Sequence, residues 1–256
     1  TELTLRVHAI PERVVAARRS FADVESATRA VVALTALSTV ISRLELLDGP
    51  TIAIINAHFE YGLTEVPTLF VEYGGSESMV DAEIALTRSI CSDFGLVDIV
   101  VETGVSAQRR LWDARHNFGL ALMALNPGKT TLGTDVAVPI SELPGAVALG
   151  RRLIEERGLM ATLVAHAGDG NFHFVFVITP ETDDLSAAKD IYSRLVDHAL
   201  SRGGTASAEH GIGVEKQEFL IREHGELIPA MRAVKAALDP AGILNPGKIF
   251  AAEAQH

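Results

Sequence analysis

The sequence predicts an α+β fold in which an antiparallel sheet is covered by helices on one side. Short runs that alternate apolar and polar residues indicate strands, and runs with apolar residues three and four apart indicate helices. The same order occurs twice, since residues 14–101 and 131–208 each run strand, helix, strand, strand, helix, strand, with one extra helix in the first. This is the order of a ferredoxin-like split βαβ unit, and C-terminal helices follow the second unit.

In the first unit, Asp23 is predicted to cap the first helix, because a carboxylate accepts hydrogen bonds from the amides of a first helical turn. The predicted elements in order are strands at 4–10 and 13–21, a helix to 36, a strand at 40–46, a helix at 51–61, a strand at 67–73, a helix from Ser76 or Ser78 to 94, and a strand at 97–101. The longest helical pattern, at 103–124, ends at Asn126-Pro127-Gly128.

The second unit is predicted to begin with an extended segment at 131–138 and a helix that Ser141 caps and that runs to 158. A hairpin, a helix at 185–201, a short extended segment at 205–209 and helices at 214–224 and 226–238 follow. No G-x-G-x-x-G opens a helix after a strand, which disfavours a Rossmann sheet.

Composition and charge narrow the function classes. The net charge of −11 without a Lys/Arg-rich run argues against a nucleic-acid surface. The single cysteine, Cys91, lies on an apolar helical pattern, which predicts that its thiol is in the core. The absence of a second cysteine suits a reducing, cytoplasmic location, and peripheral contact with an inner membrane is left open. No stretch is apolar for long enough to span a bilayer. The chain begins at Thr1 within a strand-like pattern, so we expect a fragment of a longer protein.

The hairpin carries the candidate chemistry. Residues 162–166 form an apolar run, Gly168-Asp169-Gly170 is typical of a turn, and residues 171–178 alternate as a strand. The phenylalanines of that strand share the core face, so His173 lies on the other face and can approach His166 across the turn. With Glu209, these histidines form a ligand set for a divalent metal with one position open. By spacing alone, an ordinary turn with two unrelated histidines is the commoner interpretation.

Three motifs in order resemble the C-terminal domain of FAD-linked oxidases, the family that includes D-lactate dehydrogenase, glycolate oxidase and D-2-hydroxyglutarate dehydrogenase. They are His166-Ala-Gly-Asp-Gly-Asn-Phe-His173, Ser207-Ala-Glu-His-Gly-Ile-Gly213 and Leu238-Asp-Pro-Ala-Gly-Ile-Leu-Asn-Pro-Gly-Lys248. The resemblance extends over nearly all of residues 1–256. It implies that the chain is the substrate-binding cap, inactive alone, of an enzyme whose absent N-terminal domain binds most of the FAD.

The resemblance also implies roles for six residues. His166, His173 and Glu209 match metal ligands, for zinc or manganese, and His210 matches the general base. Arg115, in the similar stretch Leu111-Trp-Asp-Ala-Arg115, matches the residue that binds the substrate carboxylate, and Asn245 matches a residue near the flavin. A metal lowers the pKa of a bound hydroxyl group, and an imidazole, with an ordinary pKa of about 6.5, can then accept the proton.

The chain departs from relatives that use dicarboxylic substrates at Gly119, Gly133 and Val175, where those relatives carry Thr, Lys and Asn. A second carboxylate is therefore expected to be poorly held, although Lys129 could partly compensate. The leading hypothesis is a flavin-dependent D-2-hydroxy-acid dehydrogenase of the D-lactate or glycolate type. A metal-dependent hydrolase and a non-catalytic metal-binding or assembly subunit are the alternatives, and a homodimer or a multi-subunit complex is left open.

Overall fold

The computed structural model describes residues 2–7, 9–38, 40–102, 104–182 and 184–251. The chain divides into two compact units, Thr1–Leu125 and Asn126–His256. Among the described residues, no helix is both long and apolar enough to cross a membrane.

The first unit is a four-stranded antiparallel sheet with helices, as predicted. Its elements are β1 (Arg13–Phe21), α1 (Val24–Leu37), β2 (Ile41–Leu47), α2 (Gly49–Phe59), β3 (Thr68–Gly75), α3 (Glu77–Ser92), β4 (Leu96–Glu102), α4 (Val105–His116) and α5 (Phe118–Leu125). The spatial order of the strands is β4-β1-β3-β2. This order, with α1 and α3 as the two crossovers, is that of a ferredoxin-like unit, and α2 is the predicted extra helix.

Side-chain caps fix where the helices of the first unit begin. Asp23 accepts a hydrogen bond at 2.7 Å from the backbone amide of Ser26, as predicted. Asp48 does the same for Thr51 at 2.8 Å, so α2 begins at Gly49, two residues before its predicted start at 51. Of the two serines considered for α3, Ser76 is the cap. Cys91 lies buried on α3, which confirms the predicted core thiol.

Two predictions for the first unit are wrong. The described residues of the segment 4–10 form no strand; Leu3, Leu5 and Val7 are 80%, 70% and 84% exposed, because an alternating pattern makes a strand only where a second strand pairs with it. The single helix predicted at 103–124 is two helices, α4 and α5, separated at Asn117. His8 and Thr103, which those predictions included, lie outside the described residues.

The second unit repeats the arrangement around a central strand. Its elements are β5 (Thr130–Gly133), β6 (Val136–Ala137), α6 (Leu143–Arg157), β7 (Ala161–His166), β8 (Asn171–Ile178), α7 (Asp184–Ser201), α8 (Gln217–His224) and α9 (Ile228–Leu238). Strand β8 pairs antiparallel with β7 on one side and with β5 and β6 on the other. The predicted strand at 205–209 is only an isolated bridge between Thr205 and Ala137. The order Thr205, β6, β8, β7 therefore matches the order in the first unit.

The two faces of the hairpin strand β8 are those predicted from its alternating sequence pattern. Phe172, Phe174 and Phe176 are completely buried, and α6 packs closely on them: a Cβ atom added at Gly150 would lie 2.1 Å from Cε2 of Phe174. The start of α6 differs from the prediction, since Ser141 lies in a short 3-10 turn and provides no cap. The helices cover the phenylalanine face, and His173 lies on the other one.

Candidate metal and substrate site

The turn of the hairpin brings two histidines to one face of the sheet. His166 pairs with Asn171 and Val164 pairs with His173, so the rings of His166 and His173 lie 6.0 Å apart, centroid to centroid. The turn needs a glycine at position 170, where φ is +73° and a Cβ atom would lie 2.0 Å from the carbonyl oxygen of Val138.

Glu209 lies at the centre of the cluster. Its Oε1 atom is 3.0 Å from Nε2 of His173, 3.2 Å from Nε2 of His166 and 3.3 Å from Nε2 of His210. Glu209 and His210 lie in the loop between the Thr205 bridge and α8, so they reach the hairpin from a different part of the second unit. The structure thus brings together four of the six residues singled out in the sequence.

The backbone orients the imidazole of His173. Its Nδ1 atom lies 2.8 Å from the carbonyl oxygen of Thr134, which can only accept a hydrogen bond, so Nδ1 carries the proton. Nε2 faces the cluster, 3.0 Å from Oε1 of Glu209. Such a contact behind a histidine fixes the tautomer that a metal ligand needs.

Asp135 is a member of the cluster that sequence reasoning did not assign a role. Ligand atoms of Asp135, His173, Glu209 and His210 all lie within 4.8 Å of one another. The Asp135 side chain is 7% exposed, and its Oδ2 atom is 2.5 Å from Nζ of Lys216. An acidic residue within an extended segment is a signal that could have pointed to it, but nothing local to Asp135 indicates its partner 81 residues away.

The donor set fits a divalent cation. Imidazole nitrogens and one carboxylate oxygen suit zinc or manganese, and here the nitrogens already face a common point at Glu209. The side chains of His210 and Glu209 are 67% and 40% exposed, which leaves this side of the cluster open to a small molecule. His173, by contrast, is buried against the sheet.

Asn171 adds a polar group on the same face. It is 4% exposed, and neither its Nδ2 nor its Oδ1 atom has a hydrogen-bond partner among the described residues. It pairs with His166 and lies two residues before His173, so all three share one face of the sheet. A buried amide without partners is a group that a ligand or an ordered water could satisfy.

The other two residues singled out lie elsewhere. Arg115 belongs to the first unit, where its Nε atom is 2.9 Å from Oε2 of Glu45 and both side chains are mostly buried. Asn245 lies in the C-terminal loop of the second unit with φ +49°. It lines a cavity of about 410 Å³ together with Arg232, Lys235 and Phe250, and it is not a member of the histidine cluster.

The chain is thus two α+β units, one of which carries a histidine–carboxylate cluster with ligand atoms that could hold a divalent cation. Residues 10–249 match the model of the family described as FAD linked oxidases, C-terminal domain. The chain belongs to this family, which confirms the resemblance seen in its motifs.

Curated relatives agree with this assignment. The chain is 37% identical over 252 residues to a probable mitochondrial D-lactate dehydrogenase of Danio rerio, and the match covers 98% of the chain and 51% of the relative. It is 29% identical to the glycolate oxidase subunit GlcD of Bacillus subtilis, over 100% of the chain and 55% of the relative. The chain spans about half the length of these relatives. Its cytoplasmic location stays a prediction, since the Danio rerio relative is named as mitochondrial.

Solved structures share the fold at low identity. p-Cresol methylhydroxylase matches with a TM-score of 0.67 and 18% identity, over 94% of the chain and 53% of that protein. The 4-ethylphenol oxidase of Gulosibacter chungangensis matches with a TM-score of 0.65 and 15% identity, over 95% of the chain and 55% of that protein. These likenesses establish the architecture alone.

Proposed function

We propose that the chain is the substrate-side part of a flavin-dependent D-2-hydroxy-acid dehydrogenase of the D-lactate or glycolate type. The observation that carries the proposal is the convergence of three imidazole Nε2 atoms on Oε1 of Glu209. Membership of the FAD linked oxidase family and similarity to a D-lactate dehydrogenase and a glycolate oxidase component support it. The same membership favours an oxidoreductase over the hydrolase and over the non-catalytic alternative.

In this proposal most of the FAD site belongs to an N-terminal domain of the whole protein. The half-length match to the relatives supports such a second domain. Asn245 contributes from this chain, in a cavity beside the cationic side chains of Arg232 and Lys235. Asn245 adopts a left-handed backbone conformation, which Asn tolerates better than most residues.

His166, His173 and Glu209 would hold a divalent cation, zinc or manganese. When bound, the cation would lower the pKa of the substrate hydroxyl, and the flavin would accept the hydride from the substrate carbon. The hydrogen bond from Nδ1 of His173 to the carbonyl oxygen of Thr134 keeps Nε2 of His173 directed at the site. The exposed edge of Glu209 leaves room for the hydroxyl and carboxylate of a 2-hydroxy acid.

His210 is the general base of the proposal and accepts the hydroxyl proton at Nε2. Its imidazole is the most exposed of the three, so a substrate can reach it. Its Nε2 atom lies 3.3 Å from Oε1 of Glu209, on the side where the cation would bind. Arg115 binds the substrate carboxylate, a task suited to a planar guanidinium. Glu45 contacts Nε of Arg115 at 2.9 Å, and this contact orients the guanidinium.

The proposal is tested by rapid mixing of the whole protein that contains this chain with D-lactate in the absence of oxygen. The rate of flavin bleaching is compared in wild type, His210→Asn and the control His58→Asn, whose residue lies on α2 of the first unit. Removing a general base is expected to slow flavin reduction by about 10²–10⁴-fold, and the control should leave it unchanged. An equal rate in wild type and His210→Asn excludes His210 as the base.

A further inference from the structure

A lysine is buried directly behind the candidate site. Lys216 is 7% exposed, and its Nζ atom lies 2.5 Å from Oδ2 of Asp135, 2.9 Å from the carbonyl oxygen of Ala206 and 3.3 Å from that of Ser207. An ammonium group has three protons to donate, and here each has an acceptor. Lysines are rarely buried unless paired, and the partner of Lys216 is Asp135.

These contacts surround the loop that carries Glu209 and His210. Lys216 binds the loop just before Glu209, through Ala206 and Ser207. Just after Glu209, the backbone amide of His210 donates a hydrogen bond of 3.3 Å to Oδ2 of Asp135. The Lys216–Asp135 pair therefore holds the loop on both sides of Glu209.

The loop adopts a backbone conformation that it would not hold by itself. Ala208 has φ +42°, in the left-handed region that residues with a Cβ atom usually avoid. Such conformations persist where surrounding contacts over-determine them. In the described part of this loop, those contacts include the hydrogen bonds of Lys216 to the carbonyl groups before Ala208 and of the His210 amide to Asp135. The Ala206 amide also donates to Glu223 at 2.9 Å, and the Gly211 amide donates to the carbonyl oxygen of Ser207 at 3.0 Å. Glu209 follows Ala208 directly, and its Oε1 atom lies 3.0, 3.2 and 3.3 Å from the Nε2 atoms of the three histidines.

We propose that Lys216 is a positioning residue of the site: it clamps the strained loop to Asp135 and so places Glu209 and His210 against His166 and His173. Lys216 does not touch the substrate or the metal. Its positive charge balances the carboxylate of Asp135, whose Oδ1 atom lies 3.6 Å from Nδ1 of His173. The inference rests on the proposed function in that the cluster is taken to be the metal site.

The test compares Lys216→Met with the double variant Lys216→Met/Asp135→Asn. The single variant leaves a buried carboxylate without its cation and is expected to destabilise the protein. The double variant removes both charges and retains an acceptor for the amide of His210, so it is expected to recover much of the melting temperature. Neither variant can bind the carbonyl groups of Ala206 and Ser207. The matched control is Lys189→Met, which removes an exposed lysine from α7 of the same unit.

The main measurement is the affinity of the whole protein for Zn²⁺ alone and for Mn²⁺ alone, by competition with a chromophoric chelator. Loss of a residue that orients metal ligands typically weakens binding about 10–100-fold. We expect a loss of that size in both Lys216 variants and none in the control. A purely structural role for Lys216 predicts that affinity returns together with stability, so wild-type affinity in the folded double variant overturns the proposal.

A second measurement separates this inference from the metal assignment. Selective ¹⁵N labelling of histidine reports the imidazole nitrogens of His166, His173 and His210 without any metal. We expect their resonances to shift in the double variant and to stay in place in the control. If the wild type binds neither cation, the metal part of the proposed function fails. Shifted imidazole resonances would then still uphold the positioning role, and unshifted resonances would overturn it.

Discussion

Gly133 lies directly opposite Val175 in the antiparallel pair of β5 and β8. Val175 follows His173 by two residues, so the place beside His173 on the site face is lined by one apolar side chain and by a residue without a side chain. A Cβ atom at Gly133 would meet nothing within 4 Å, so this edge of the sheet is open. Neither position offers a hydrogen-bond donor from a side chain.

This pairing predicts the substrate preference of the whole protein. A second substrate carboxylate near these positions would lack charge-assisted hydrogen bonds, each of which contributes about 1.5–3 kcal/mol. We expect kcat/KM for a monocarboxylic D-2-hydroxy acid such as D-lactate to exceed that for D-2-hydroxyglutarate by at least about tenfold. The variant Gly133→Lys/Val175→Asn should reduce the ratio of the two kcat/KM values. The control Gly145→Lys, at an exposed position of α6, should leave that ratio unchanged. A wild-type preference for the diacid contradicts the prediction.

Because three imidazole Nε2 atoms converge on Glu209, we predict that each chain binds one divalent cation and that this binding requires His173. The variant His173→Ala removes a donor whose Nε2 atom faces the cluster, so we expect the affinity for Zn²⁺ or Mn²⁺ to fall by at least about 100-fold. Elemental analysis and chelator competition measure this change. The control is His58→Ala on α2 of the first unit. Equal binding by the wild type and His173→Ala would rule out His173 as a ligand.

Because α6 lies close to β8, we expect an alanine at position 150 to destabilise the protein. Gly150→Ala would place its Cβ atom 2.1 Å from Cε2 of the completely buried Phe174, so we expect a loss of about 1–3 kcal/mol in the free energy of unfolding. At Gly145, on the exposed side of the same helix, an added Cβ atom meets nothing within 4 Å. Gly145→Ala should therefore stabilise the protein by about 0.5 kcal/mol. Urea unfolding of the two variants checks the contrast, which disappears if the ring of Phe174 can shift.

Burial raises the pKa of the Cys91 thiol to about 11, partly offset by Arg19. The thiolate is the reactive form, so at pH 8 the folded protein should react with iodoacetamide about 100-fold more slowly than the urea-unfolded chain. Because the thiol keeps its proton in the folded state but loses it in the unfolded state, the free energy of unfolding should fall as the pH rises from about 9 to about 11. Rapid labelling of the folded protein would contradict this.

Local patterns explain why much of the fold could be predicted. The period of two in β8 separated the phenylalanine face from His173, and Asp23 and Ser76 marked helix starts because a cap satisfies amides only three residues away. The same locality explains the errors. An alternating segment at residues 4–10 has the pattern of a strand, but the described residues there pair with none. The end of α4 at Asn117 could not be predicted, because the apolar periodicity continues from α4 into α5.

For the site, the sequence by itself determined the ligand types and the hairpin that places His166 near His173, since a tight turn between alternating strands leaves little choice of face. Only the tertiary structure decided that Glu209 and His210 reach that hairpin. It also decided that Lys216 and Asp135, 81 residues apart, hold the loop between them. The physical reason is that a buried ion pair depends on which loops come together in the packed unit. A local period or spacing in the sequence carries no information about contacts between segments that are far apart along the chain.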